Sequence, residues 1–364
     1  MMSKAGRFDD FFNNVPICNL FHTHVPMSYV VVLWTVPIFG SKFFQNFQIL
    51  IFIVISLWTI YLYLKSTILI SGSIKDYIFW PFLTYPIFYA FFRGNYEFFS
   101  MGFLALSIAY LVSKNREVKK SFLLFLISVF IKPTTILFIF LFLDEFYKDR
   151  KFRIFSLITG FSALIIVLLM VFLIKGDFNE NYNYWLFTLK TYQEAYVIGE
   201  GGTLFNNAPW GAIKSFLYFN YEYDVAQGNL KQILPQINNI NLCILGITSL
   251  ILALYRSEIW LKTLTISLLT LIISNVSADY RLITLSPVLL LIFSQNHFDY
   301  GSKVSSIFIV IILLPKHFIN FIVTDQKVMF TVQSILNPIL IIILFTISIY
   351  LIFIKGNLYF KDDQ

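Results

Sequence analysis

The chain reads as an all-α, polytopic membrane protein, and three observations lead there. Its mean hydropathy is +0.74. Only 13% of its 364 residues are charged, about half the share found in a soluble globular protein. Its 42 Phe and 21 Tyr suit a lipid-facing surface with interfacial aromatic belts. The shortage of charge runs along the whole chain, so a single transmembrane domain over 1–364 is expected, multi-pass in a cell membrane among its lipids. The net charge of +7 does not indicate nucleic acid, because the lysines sit in short loops beside apolar segments, as the positive-inside rule produces. Cys18 and Cys243 are isolated thiols, too few for a disulfide framework or a metal site. No metal constellation and no cofactor motif is visible. The opening "MMSKAGRFDDFFNN" lacks the apolar core of a signal peptide, so an internal span is expected to direct insertion.

Apolar segments fall at 25–39, 47–64, 78–92, 98–112, 121–143, 154–174, 241–255, 261–274, 282–294, 304–323 and 335–354. This predicts a bundle of roughly ten membrane segments, several shorter than the ~20 residues of a full span. Short pieces inside a bundle usually line a cavity, because their loose backbone groups need protein or water as partners. Charge sets the topology. "SKNREVKK" (113–120) is the best cytoplasmic candidate, and "DEFYKDRKFR" (144–153) also holds four basic residues. With both inside, "ISVFIKPTTILFIFLFL" (127–143) and the residues before it cannot be a simple span. They must climb, break at Lys132-Pro133 and return as a re-entrant hairpin. Lys132 lies about eleven residues from either end, roughly 16 Å of helix, too deep to snorkel. It is therefore expected at a turn inside the bundle, facing a wet cavity. The same logic folds 78–112 into a hairpin with "RGNYE" (93–97) at its apex. Residues 175–240, with four lysines, no arginine and six acids, predict a long extracytoplasmic loop. Within it, "GEGGTLFNNAPWGAIKSFLYF" (199–219) reads as an interfacial helix.

Four polar clusters stand beside the apolar runs: Asp9 and Asp10 in "GRFDDFFNN"; Arg93, Asn95 and Glu97 around Gly94; Lys132-Pro133; and Asp279, Tyr280 and Arg281 in "NVSADYRLITLSP". Taken singly, each has a plainer reading: a solvated N-terminal segment, a hairpin turn, a kink, an interfacial ion pair. Together, the cations Arg93, Lys132 and Arg281 gathered at membrane depth suggest an anionic ligand, and a lipid-linked phosphate or diphosphate is the natural one. A carboxylate nearby has the chemistry of a general base for a sugar hydroxyl.

In these residues the chain resembles the GT-C glycosyltransferases, specifically the polyprenol-phosphate-mannose-dependent mannosyltransferase-like family (glycosyltransferase family 87, DUF2029-like). "DDFFNN" is similar to that family's acidic site and "HVPMSYVVVLWTVPIF" (24–39) to a degraded second element. "RGNYEFFSMGFLALSIAYLV" (93–112) resembles its apex, and "FLISVFIKPTTILFIFLFL" (125–143) is the nearest match. "SADYRLITLSPVLLLI" (277–292) resembles a Tyr-Arg-Leu pattern of some bacterial relatives. The resemblance implies a GT-C-like bundle and an inverting transfer of a mannose-like sugar. The donor would be a polyprenyl-phosphate sugar and the acceptor a lipid-linked or cell-surface glycan. It implies Asp10 as base, with Asp9 second. Arg93, Lys132 and Arg281 would hold the donor phosphate, with Asn95, Asp279 and Tyr280 beside the substrate. Two other readings stand next to it: an O-antigen-type polysaccharide polymerase, and a transporter or flippase of lipid-linked sugars. The polymerase would be favoured by arginines in the long loop, the transporter by repeat symmetry between halves. The sequence has neither feature.

Overall fold

The structure is a computed structural model that describes residues 41–71, 84–87, 96–173, 178–199, 203, 206–295, 299–316, 320–323 and 328–358. Helix α1 (Ser41–Ser71) is followed by α2 (Tyr96–Val112) and α3 (Val118–Ile131). A ten-residue 3-10 helix, Pro133–Phe142, leads into α4 (Leu143–Lys148) and α5 (Arg150–Leu173). Next, α6 (Phe178–Tyr192) runs into a π-helical turn, Gln193–Ile198, ahead of α7 (Pro209–Asn220) and the 32-residue α8 (Tyr223–Leu254). After β1 (Tyr255–Arg256) come α9 (Ile259–Ile272), a 3-10 helix Asp279–Leu285, α10 (Ser286–Phe293) and α11 (Tyr300–Leu313). Strands β2 (Asn320–Val323) and β3 (Val328–Thr331) form a hairpin. Then α12 (Val332–Lys355) ends in β4 (Asn357–Leu358), which pairs antiparallel with β1. The described chain is thus mostly helical. Three of its helices, in α1, α8 and α12, are long and apolar enough to cross a membrane, and four shorter apolar helices accompany them. The expected segment 25–39 and most of 78–92 lie outside the described residues.

Residues 121–143 turn back on themselves, and local chemistry explains where. Proline disfavours the helical region for the residue before it, and Lys132 is extended, at φ −144 and ψ 104. Helix α3 therefore stops at Ile131. The loose groups at the break are met locally: the Lys132 N–H donates to the Ser128 carbonyl, and Thr135 Oγ1 donates to the Lys132 carbonyl at 2.8 Å. The returning 3-10 arm lays Phe142 against Phe122 and Phe125, with ring centroids 5.3 and 5.4 Å apart. At the open end of this hairpin, Arg116 pairs with Glu145 at 2.7 Å. Both flanks thus meet at one end of the molecule. The same proline rule truncates the expected segment 304–323: Leu314, before Pro315, is extended and α11 ends at Leu313.

Helices α2 and α3 pack antiparallel in a register set by serines seven residues apart. Ser100 Oγ donates to the Ser128 carbonyl at 2.9 Å. Ser107 and Ser121 each donate to the other's carbonyl, at 2.8 and 2.6 Å. Small hydroxyl side chains let apolar helices approach closely and hydrogen-bond across the seam. That register carries Glu97 to Lys132. Gly102 serves the other face of α2, since a Cβ there would lie 2.7 Å from Thr59 Cγ2 on α1.

Residues 175–240 hold more helix than the sequence indicates. Besides α6 and α7 they include the first half of α8, which continues through Pro235 into the apolar stretch 241–254. Helix α7 is amphipathic, but its inner stripe is a clamp. Trp210 Nε1, Lys214 Nζ and Tyr218 OH, spaced four apart, donate to the carbonyls of Val197, Tyr196 and Ile198, each at 2.8 Å. These carbonyls end a helical run, where orphan acceptors and the negative pole of the dipole favour donors and a cation. Phe216 and Phe219 on the other face are exposed.

Candidate functional site at one end of the bundle

Chain direction sorts the polar residues into two ends. The first end holds the Arg116–Glu145 pair, the Lys262–Asp144 pair at 3.3 Å and the contact of Lys355 with Asp299. The other end collects the start of α2, the end of α3, the start of the Asp279–Leu285 turn, the exit of α11 and the start of α12. Helices α3, α9 and α11 have 14 residues each, about 21 Å, against a hydrocarbon core of ~30 Å. Helix α12, which starts at this second end, has 24 residues, about 36 Å; ionisable groups buried among such apolar helices are expensive and need partners.

Lys132 Nζ stands 3.3 Å from Glu97 Oε2, with side-chain exposures of 12% and 2%. So the ammonium at the hairpin tip has a carboxylate partner. The sequence places Glu97 in the "RGNYE" cluster but does not pair it with Lys132.

Asp279 is fully buried and held by amides and a phenol, where the sequence allowed a plain interfacial ion pair. Its Oδ1 accepts from Asn207 Nδ2 at 2.8 Å and Gln333 Nε2 at 2.6 Å, and its Oδ2 accepts from Tyr85 OH at 3.1 Å. The network continues from Asn337 Nδ2 to Asn207 Oδ1 at 2.8 Å, and from Lys316 Nζ to Asn337 Oδ1 at 2.9 Å. Lys316 also donates its backbone N–H to Gln333 Oε1. Asn206 secures the same corner, accepting the N–H groups of Ala208 and Ser277. Gly211 is required there, because a Cβ would come within 2.8 Å of Asn206. Sequence reasoning missed Asn207, Lys316, Gln333 and Asn337. The available signal was Gln333 and Asn337 spaced four apart at the start of an apolar run, on one helix face.

Arg281, two residues on, donates from Nη1 to Ser274 Oγ. Its Nε is buried with no hydrogen-bond partner among the described residues, as are Asn275 Oδ1 and Ser277 Oγ close by in sequence. Helix α2, whose first turn carries Glu97, packs against the 3-10 turn that carries Asp279 and Arg281. Three predicted residues, Lys132, Asp279 and Arg281, thus come to one end on adjoining elements. Asp9, Asp10, Arg93 and Asn95 lie outside the described residues, and of Tyr280 only the backbone is described. Among the described residues no group of His, Cys, Asp and Glu is arranged to hold a metal ion.

Apolar helices around buried ionisable groups at one end mark a membrane protein with an internal polar site. No family model matches the chain, and neither a curated protein nor a solved structure matches it.

Proposed function

We propose that the chain is an inverting membrane glycosyltransferase that takes a sugar from a polyprenyl-phosphate donor and passes it to a lipid-linked or cell-surface glycan. The observation that supports this reading most is the Lys132 ammonium at a break in an apolar helix, at the same end of the bundle as Arg281, whose buried Nε has no hydrogen-bond partner among the described residues. Cations so placed suit a lipid phosphate. In the reaction, an acceptor hydroxyl attacks the anomeric carbon and the bond from that carbon to the phosphate oxygen breaks. The bonding pair leaves on the phosphate, and the hydroxyl proton passes to a carboxylate, Asp10 with Asp9 second. Lys132 and Arg281, with Arg93, meet the charge that grows on the leaving phosphate, which is electrostatic stabilisation of the transition state. Before donor binds, Glu97 holds the Lys132 ammonium; the arriving phosphate shares it.

Purified protein in vesicles, offered a panel of polyprenyl-phosphate hexoses with lipid-linked glycan acceptors, tests the proposal. Acceptor-dependent release of polyprenyl phosphate from one donor is the expected result. Donors that cross the vesicle membrane intact, with no phosphate released, would instead make the protein a transporter.

A further inference from the structure

A groove of about 790 Å³ runs between the re-entrant hairpin and α5, and its lining is almost wholly apolar. Along α3 it extends from Phe122 to Phe130, about 12 Å of helix, and beyond the helix end to Pro133, within half of the ~30 Å hydrocarbon core. It is one leaflet deep. Leu157 and Phe161 of α5 and Ile136 and Ile139 of the 3-10 arm line it and are exposed, so it opens sideways toward lipid. Gly160 widens it, since a Cβ there would meet nothing within 4 Å.

The ends of the groove differ in charge. At the deep end, beside Pro133, Lys132 is already matched by Glu97. At the shallow end, exposed Lys119 stands 5.6 Å from the Phe155 ring centroid and has no carboxylate partner among the described residues. Arg153 lies over Phe146, a lining residue, in the same region. This is the end that bears the basic loops.

We infer that the groove holds one acyl chain of an anionic phospholipid from that leaflet, with its headgroup phosphate met by Lys119. The headgroup end of this groove is the opposite end of the hairpin from Lys132, which the proposed function gives to the sugar donor; the groove's deep end stops at Pro133, beside that residue. The chain of the lipid fills the space that the short 3-10 arm leaves against α5, and the phosphate supplies the countercharge that Lys119 lacks.

Native mass spectrometry of the full chain in detergent tests this with three added lipids: phosphatidylglycerol, phosphatidylcholine of the same chains, and undecaprenyl phosphate. One phosphatidylglycerol should be retained, with about fivefold preference over phosphatidylcholine, the share of one lysine near a headgroup. Gly160→Phe fills the groove from open space and should weaken retention about tenfold or more, with helix content by circular dichroism unchanged. Gly160→Ala should keep the lipid. Lys119→Gln should erase the preference while phosphatidylcholine is retained as before. Equal retention of the two phospholipids by the parent protein would overturn the inference. So would undiminished retention by Gly160→Phe, or displacement of phosphatidylglycerol by undecaprenyl phosphate that depends on Lys132.

Discussion

Replacing Lys132 by methionine removes the cation facing a carboxylate that is only 2% exposed. Breaking a buried pair from one side typically costs about 3–5 kcal/mol, because the other charge stays buried. Thermal unfolding in detergent should therefore show Lys132→Met clearly destabilised, with most of the loss restored by adding Glu97→Gln. A Lys132→Met protein as stable as the parent would mean that the pair does not form. A lysine without a partner would lose only an expensive charge; with Glu97 beside it, the substitution strands a buried carboxylate. Lys132 was legible: a lysine before a proline in an apolar run has few explanations. Its partner depended on the register of Ser100, Ser107, Ser121 and Ser128, which only packing fixes. Asn207, Gln333 and Asn337 were less legible still, since single amides at the ends of apolar runs look like helix caps.

At the scale of elements, the clamp of α7 on the π-helical turn makes a separate prediction. Lys214→Met leaves the Tyr196 carbonyl without the ammonium that holds it at 2.8 Å. Loss of this part-buried bond should cost about 1 kcal/mol, and hydrogen exchange of amides 193–199 should quicken while the α2–α3 seam stays protected. Unchanged exchange there would show that Trp210 and Tyr218 suffice. Helix α2 offers a second element-scale test. Gly102→Leu must push α1 away, because even a Cβ would meet Thr59 at 2.7 Å; overpacking of this kind costs about 1–3 kcal/mol. A Gly102→Leu protein with the parent's unfolding temperature would show that α1 is not seated as described. The hairpin of residues 121–143 could be read from the sequence because proline geometry and loop charge act locally. Helix α6 and the first half of α8 could not: polar composition suggested a loop, whereas in α8 Ala226, Leu230 and Leu234 are buried on one face and the helix continues through Pro235.

For the whole molecule, the hairpin requires positions 117 and 148 to share one face of the membrane. Single cysteines placed there, Glu117→Cys and Lys148→Cys, should react alike with a membrane-impermeant reagent, and opposite labelling would contradict the fold. The larger question is whether the polar end of the bundle performs chemistry or only holds helices together. Stability and activity must be separated to answer it, and the paired variant Glu97→Gln/Lys132→Met does so by removing both charges together. Transfer of sugar from a polyprenyl-phosphate donor should be followed in this variant once unfolding shows it as stable as the parent. With Lys132 acting on the leaving phosphate, turnover should fall by about 10²–10³, the usual loss for one stabilising donor. Turnover equal to the parent's would contradict the account and leave Lys132 and Glu97 as a structural pair at a helix break.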